Sequence, residues 1–195
     1  MNKAIRHARG SVIGFLNVDD FYEKGTLRLI LKKINQANPL SLWIGNCQMW
    51  GEGDIKLSLN KPKAHNLYQL IAGYETSYNP SAYFYHKALH DRIGDYDETD
   101  HYTMDLDFLI RAYGAASLFY TNETWGNFRF IPGAKTFEDA QRGAMFKRCD
   151  ALRKKTFDSM TPLQQLIVKA YQLKMRVEKR VTRRINALTK PLSAV

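Results

Sequence analysis

Two acidic spots carry the chemistry this sequence can be expected to perform. Asp19 and Asp20 stand side by side after the apolar run SVIGFL and the pair Asn17-Val18. Adjacent carboxylates repel when both are ionised, so such a pair is favoured where a cation sits beside it. Oxygen ligands select a hard ion, Mg2+ or Mn2+, over zinc. Such an ion can neutralise a diphosphate, either for binding or as a leaving group. A helix cap or a solvated turn would use the same two residues without any ion. The second spot is Asp105 and Asp107 in TMDLDFLIRAYG. On a helix, residues two apart do not share a face, so one can line a cleft while the other is structural. A helix N-terminus stabilises a carboxylate as the anion. Asp105 can therefore serve as a base only where desolvation offsets that effect; simple stabilisation of the helix start is the alternative. His86 and His90 have the i, i+4 spacing of metal ligands, but no HExxH pattern surrounds them.

The elements that must position these groups follow from periodicity. Residues 2–8 read as a short helix closed by Gly10, and 11–16 as a buried strand. Residues 26–37 place Leu27, Ile30, Leu31 and Ile34 on one helical face, closed by Asn38-Pro39. Residues 40–50 and IKLSL (55–59) read as a hairpin around Glu52-Gly53-Asp54. A short helix is expected over 65–73. Residues 78–90 hold an aromatic strand and then a turn of helix, with a loop over 93–98. A helix over 103–114 and a strand over 115–131 complete the series, which ends at Pro132-Gly133.

Composition bounds the rest. The chain has 195 residues, is 45% hydrophobic and 25% charged, and holds two cysteines, Cys47 and Cys149. That excludes a disordered chain and a disulfide scaffold. No apolar run reaches the roughly 18 residues of a membrane span, and the first ten residues lack the apolar core of a secretory signal. The two cysteines are expected as buried free thiols.

The net charge of +10 is unevenly placed. Residues 1–140 carry 15 Lys+Arg and 16 Asp+Glu, whereas residues 141–195 carry 14 and 3, a net of +11. Thr161-Pro162 is a helix start, and a helix to about Thr189 would carry one apolar stripe. The stripe comprises Leu163, Leu166, Ile167, Ala170, Leu173, Val177, Val181, Ile185 and Leu188, with the cations mostly on the other faces. Such a helix can lie in an anionic membrane interface, or pack its stripe on the domain. The basic tail could also serve nucleic acid, although no nucleic-acid-binding motif accompanies it.

Four segments, in order, resemble family 2 glycosyltransferases with the GT-A fold. MNKAIRHARGSVIGFLNVDDFY resembles the helix, turn and strand that lead into the metal-binding aspartates. NPSAYFYHKALHDRIGDYDE resembles the acceptor-side strand and its loop. TMDLDFLIRAYG resembles the helix of the catalytic acid, and NFRFIPGAKT the late "FR-x-H-x-G-x-K-T" segment. The resemblance covers about residues 1–136 and is nearest to bacterial polysaccharide-assembly transferases of the colanic acid or O-antigen sort. It implies an α/β fold: a partial GT-A, Rossmann-like mixed sheet with flanking helices, followed by a basic amphipathic helix. It divides the chain into 1–140, the C-terminal part of a transferase domain, and 141–195, a basic helical tail.

Carried over by position, the resemblance makes Asp105 the catalytic base and Asp19 a metal contact. Asp20 supports the metal or ribose side, so Asp19 and Asp20 together are the metal and donor residues. Arg111 is structural or phosphate-facing. Three positions depart from the pattern: Asn17 replaces the first acid of D-x-D, Met104 the acid before the base, and Ile131 the late histidine. Trp125 could stack on an acceptor sugar or lie in the core. The implied partners are a nucleotide-sugar donor, a saccharide or lipid-linked acceptor, and an anionic membrane surface met by residues 162–189. The implied place is the cytoplasm, peripheral to the inner face of the membrane. The family also begins with a βαβ nucleotide-binding half of about 80 to 90 residues. Met1 matches an internal methionine of such relatives, so the sequence reads as the later part of a longer transferase with an open sheet edge. An inactive remnant or scaffold, and a nucleic-acid-binding module, are the alternative readings.

Overall fold

The computed structural model describes residues 1–34, 38–63 and 65–188. The sequence expectations at 35–37, Thr189 and Pro191 lie outside the described residues. Helices α1 (Asn2–His7) and α2 (Thr26–Ile34) flank strands β1 (Val12–Gly14) and β2 (Phe21–Tyr22). Strands β3 (Ser41–Trp50) and β4 (Lys56–Asn60) form the expected antiparallel hairpin, and α3 (Leu67–Ala72) follows. Then come β5 (Tyr83–His86), α4 (Lys87–Ile93), α5 (Met104–Ala115) and β6 (Ser117–Arg129). Helices α6 (Lys135–Gln141), α7 (Ala144–Asp158) and α8 (Pro162–Leu188) complete the described chain.

The sheet is mixed, in the order β1-β5-β3-β6-β2, with β4 on β3. Strand β3 is its axis. Leu42–Ile44 pair with β5, Cys47–Trp50 pair with β4, and the whole strand runs parallel to β6 on its other side. That explains why LWIGNC is buried along most of its length, with only Trp43 part-exposed, rather than alternating. The sheet is covered on both faces. One core joins Ile5, Leu42, Leu70, Tyr83, Tyr85, Phe108 and Leu109 with helices α1, α3, α4 and α5. A smaller one joins Ile30 and Ile34 of α2 to Phe84 and Trp125. The architecture is thus the expected mixed α/β sheet with flanking helices, consistent with a partial GT-A fold.

Several elements differ from the sequence reading. Strand β1 is only three residues, because its one partner is β5. The IKLSL segment forms the expected second strand, but its apolar residues Ile55, Leu57 and Leu59 are exposed. Helix α6 has no counterpart in the sequence expectations, and α7 lies within the basic helical tail without a periodic stripe to delimit it.

Helix α8 starts where expected, with Thr161 and Gln164 capping each other: the Thr161 N–H donates to Gln164 Oε1 (2.9 Å), and the Gln164 N–H donates to Thr161 Oγ1 (3.4 Å). The face it packs is not the predicted stripe. Val168 is fully buried beside α3, and Tyr171 accepts a hydrogen bond from Asn66 Nδ2 (3.2 Å). Leu163, Leu166, Leu173, Val177 and Val181 remain exposed.

Candidate active site

The turn that carries the acidic pair is folded by its own side chains. The Asp20 N–H donates to the Asn17 carbonyl (3.2 Å), and Asn17 Nδ2 donates to Asp20 Oδ2 (2.8 Å). Asp20 is 7% exposed and points inward. Its Oδ2 also accepts from Asn79 Nδ2 (2.8 Å), and its Oδ1 accepts from the Arg129 N–H (3.1 Å). Burial raises its pKa above the ordinary aspartate value; the hydrogen bonds oppose that rise, and the neighbouring charge of Asp19 adds to it. Asp19 is exposed, and among the described residues its carboxylate has no hydrogen-bond partner. The inward acid therefore ties the turn to two distant segments, and the outward acid is presented to solvent.

The position of Asn79 depends on a close approach. Asn79 caps the short 3-10 turn Pro80–Ala82, its Oδ1 accepting from the Ser81 N–H (2.8 Å). That turn presses against Gly126 of β6, where a Cβ would come within 2.7 Å of the Ser81 backbone carbon. Beneath it lies Cys47, whose thiol pKa burial pushes up to about 12, with Asp20's charge adding to the rise. A thiol in that state is a packing group, not a nucleophile. Cys149 is half-buried and also free.

The second spot divides as the helix geometry requires. Asp107 pairs with Arg111 (2.8 Å), whose guanidinium also donates to the carbonyls of Ile93 (2.6 Å), Gly94 (3.1 Å) and Asp95 (2.9 Å). Arg111 is thus a clasp on the loop after α4. Asp105, on the adjoining face, is partly buried, and its Oδ1 is closed to solvent with no hydrogen-bond partner. Burial lifts its pKa from 3.8 to about 6, opposed by the Met1 amino group. Burial raises the pKa values of Tyr83 and Tyr85, and the charge of Asp105 adds to the rise. The unpartnered Tyr85 hydroxyl and the Tyr83–Tyr96 hydroxyl contact (3.4 Å) make this an aromatic, poorly hydrated environment.

No hydrogen bond joins Asp105 to Asp19 or Asp20. One segment, Asn79 through Tyr85, serves both spots: Asn79 holds Asp20, and Tyr83 and Tyr85 lie within the electrostatic reach of Asp105. Cavities of about 360 Å3 and 300 Å3 lie elsewhere, against α7, and neither includes the three candidate acids.

Residues 1–104 match the model of the family described as Glycosyl transferase family 2, just over half of the 195 residues. The chain belongs to glycosyl transferase family 2. The matched span includes Asp19 and Asp20 and ends one residue before Asp105. The chain is also similar to an uncharacterized glycosyltransferase, YwdF, of Bacillus subtilis (strain 168). The two are 28% identical over 116 residues, which is 57% of this chain and 42% of that protein. The chain thus aligns with less than half of that relative's length.

The family implies a divalent metal, and the donor set allows a limited fit. Among the described residues, no three His, Cys, Asp or Glu side chains cluster to hold an ion. Mg2+ is commonly held by one or two carboxylates, with phosphate oxygens and water filling the rest. Asp19 fits that role as a single exposed carboxylate. Asp20 has its lone pairs committed to Asn17, Asn79 and Arg129, which suits it to orient the turn. His86 caps α4, its Nδ1 accepting from the Ala88 N–H, and His90 pairs with Asp95 (2.9 Å). Trp125 is core: it is 1% exposed and packs on Gly45 and Phe84. Asn79 is the residue that sequence reasoning undervalued. Asn before Pro is a recognisable cap signal.

Proposed function

We propose that this chain transfers a sugar from a nucleoside-diphosphate donor to a hydroxyl of a saccharide or lipid-linked acceptor. The transfer inverts the anomeric carbon and serves the assembly of a bacterial cell-surface polysaccharide on the cytoplasmic side of the membrane. Residues 1–140 supply the transferase portion, and 141–195 a basic helical extension.

One observation carries this reading: Asp105 Oδ1 is buried without a donor. A buried acceptor left unpaired costs about 1–3 kcal/mol, and such a cost in a native fold calls for an explanation. A carboxylate that must receive a proton during turnover supplies one. With a pKa near 6, Asp105 is ionised at neutral pH and more basic than an ordinary aspartate, as a general base should be. In the proposed step, the acceptor oxygen attacks the anomeric carbon while its proton passes to Asp105. The bond from that carbon to the diphosphate oxygen breaks on the opposite side. When bound to Asp19, Mg2+ or Mn2+ supplies positive charge against the departing diphosphate. Asp20 keeps Asp19 turned outward.

The test combines calorimetry with UDP- and GDP-sugars, with and without Mn2+, and a transfer assay. Asp19→Ala is expected to lose metal-dependent donor binding. Asp105→Asn is expected to keep donor binding and lose turnover by about 100- to 10,000-fold. Near-normal turnover by Asp105→Asn removes the base assignment. Absence of donor binding by the unaltered chain favours the scaffold reading.

A further inference from the structure

We propose that the outward apolar face of α8 docks on an anionic lipid surface. With about 3.6 residues per turn, Leu163, Leu166, Ala170, Leu173, Val177 and Val181 share one side of the helix. The five large side chains among them are between 50% and 68% exposed. This is not the face that holds the helix to the domain. That contact uses Val168, Tyr171 and Met175 on the other side, against α3 and the residues after it. From Arg176 to Arg184 every described side chain is exposed, so this part of α8 projects from the domain. A helix in water owes most of its stability to a packed apolar face, and here the projecting segment has an apolar row with no cover.

Charge selects the occupant. Residues 162–188 contain seven Lys and Arg and one acid, Glu178. Lys169, Arg176, Arg180 and Arg183 flank the row on one side, and Lys174 flanks it on the other. Long cationic side chains at the borders of an apolar row can reach phosphate groups while the row enters the acyl boundary. A second copy of the helix fits poorly. Pairing along this row would set like charges side by side, and Glu178 already lies 3.9 Å from Lys174. A bilayer rich in anionic headgroups meets the apolar row and its cationic borders at once. No described helix is long and apolar enough to cross the membrane, so the contact is parallel to the surface.

The experiment is co-sedimentation of the full chain with vesicles, which needs no turnover and so stands apart from the transferase reading. Vesicles of phosphatidylcholine alone are compared with an equimolar mixture with phosphatidylglycerol, in low and high salt. The expected result is binding to the anionic vesicles only, weakened in high salt. Arg176→Glu with Arg180→Glu and Arg183→Glu should lower the affinity by about a hundredfold. Leu173→Glu with Val177→Glu should abolish binding with the circular dichroism unchanged. Val181→Glu, in the projecting segment, gives a loss that cannot arise from the domain contact. Equal sedimentation with both vesicle types, or unchanged binding by the Leu173 and Val177 variant, overturns the proposal. A dimer in sedimentation equilibrium that the same variant dissolves, without vesicle binding, assigns the row to self-association and also overturns it.

Discussion

Replacing Asp105 by Asn should make the protein more stable at neutral pH while removing its proposed base. The carboxyl has an ordinary pKa of 3.8, lifted by burial to about 6 in the fold. Between these two values the folded state holds a proton that the unfolded chain has lost. Stability therefore falls as pH rises from about 4 through about 6, and the penalty is complete above that window. A gap of about 2 between the pKa values corresponds to about 3 kcal/mol. The side chain keeps some exposure, so solvent screening reduces the expected effect to about 1–2 kcal/mol. The amide has nearly the same shape and no charge to desolvate. At pH 8 the Asn variant should melt about 2–6 °C higher than the unaltered chain, and at pH 4 the two should converge. Thermal unfolding followed by circular dichroism from pH 4 to 8 measures both limits. A difference independent of pH, or an Asn variant that is less stable at pH 8, would refute the claim that this carboxylate is held against its own desolvation. A site that gives up stability to keep a reactive group is the trade-off expected where function and stability compete.

Three further predictions test the scaffold around the acids. Asp20→Ala removes the acceptor for Asn79 Nδ2 and the Arg129 N–H, and should cost about 2–3 kcal/mol in urea unfolding; Asp19→Ala should change stability by less than about 0.5 kcal/mol. Gly126→Ala sets a methyl group against the backbone of Ser81 and Ala82; overpacking of this kind costs about 1–3 kcal/mol, and a melting temperature equal to that of the unaltered chain would contradict the close approach. Arg111→Lys keeps the charge but cannot span Asp107 and three carbonyls at once; the expected loss is about 1–2 kcal/mol, with faster amide exchange over residues 93–96 as the local signature.

The positions of the helices and strands were legible wherever one face of an element meets the core. TLRLILKKI and TMDLDFLIRAYG announce themselves by spacing and SLWIGNCQMW by its largely apolar run, and the structure keeps each close to its expected span. The signal fails where apolar residues are not paired with a covering layer. Ile55, Leu57 and Leu59 alternate like a half-buried strand, but β4 pairs only with the far end of β3, and these side chains stay exposed. Helix α7 shows the converse: no residue of it is fully buried and Phe146 is exposed, so no stripe marks it out. In α8 the long apolar row drew attention to one face, while the packed face is marked by only Val168, Tyr171 and Met175.

The acidic pair shows why a site is harder to read than a fold. Charge and spacing alone do not separate Asp19 from Asp20, since each follows the same strand and each repels the other. Their separation is decided by donors 59 and 109 positions further along the chain, Asn79 and the Arg129 N–H. Those donors exist at that place only because Gly126 lets the Asn79–Ala82 turn lie against β6, and because β3 and β6 run parallel over their whole length. Asp105 was legible as a helix-start acid, and there the helix dipole argues for an ordinary, weakly basic carboxylate. What reverses that argument is the tyrosine-lined environment of β5, contributed by residues about twenty positions earlier and invisible in the local pattern. Local rules thus name the candidate acids, and tertiary placement decides which is buried, which is free and which is made basic.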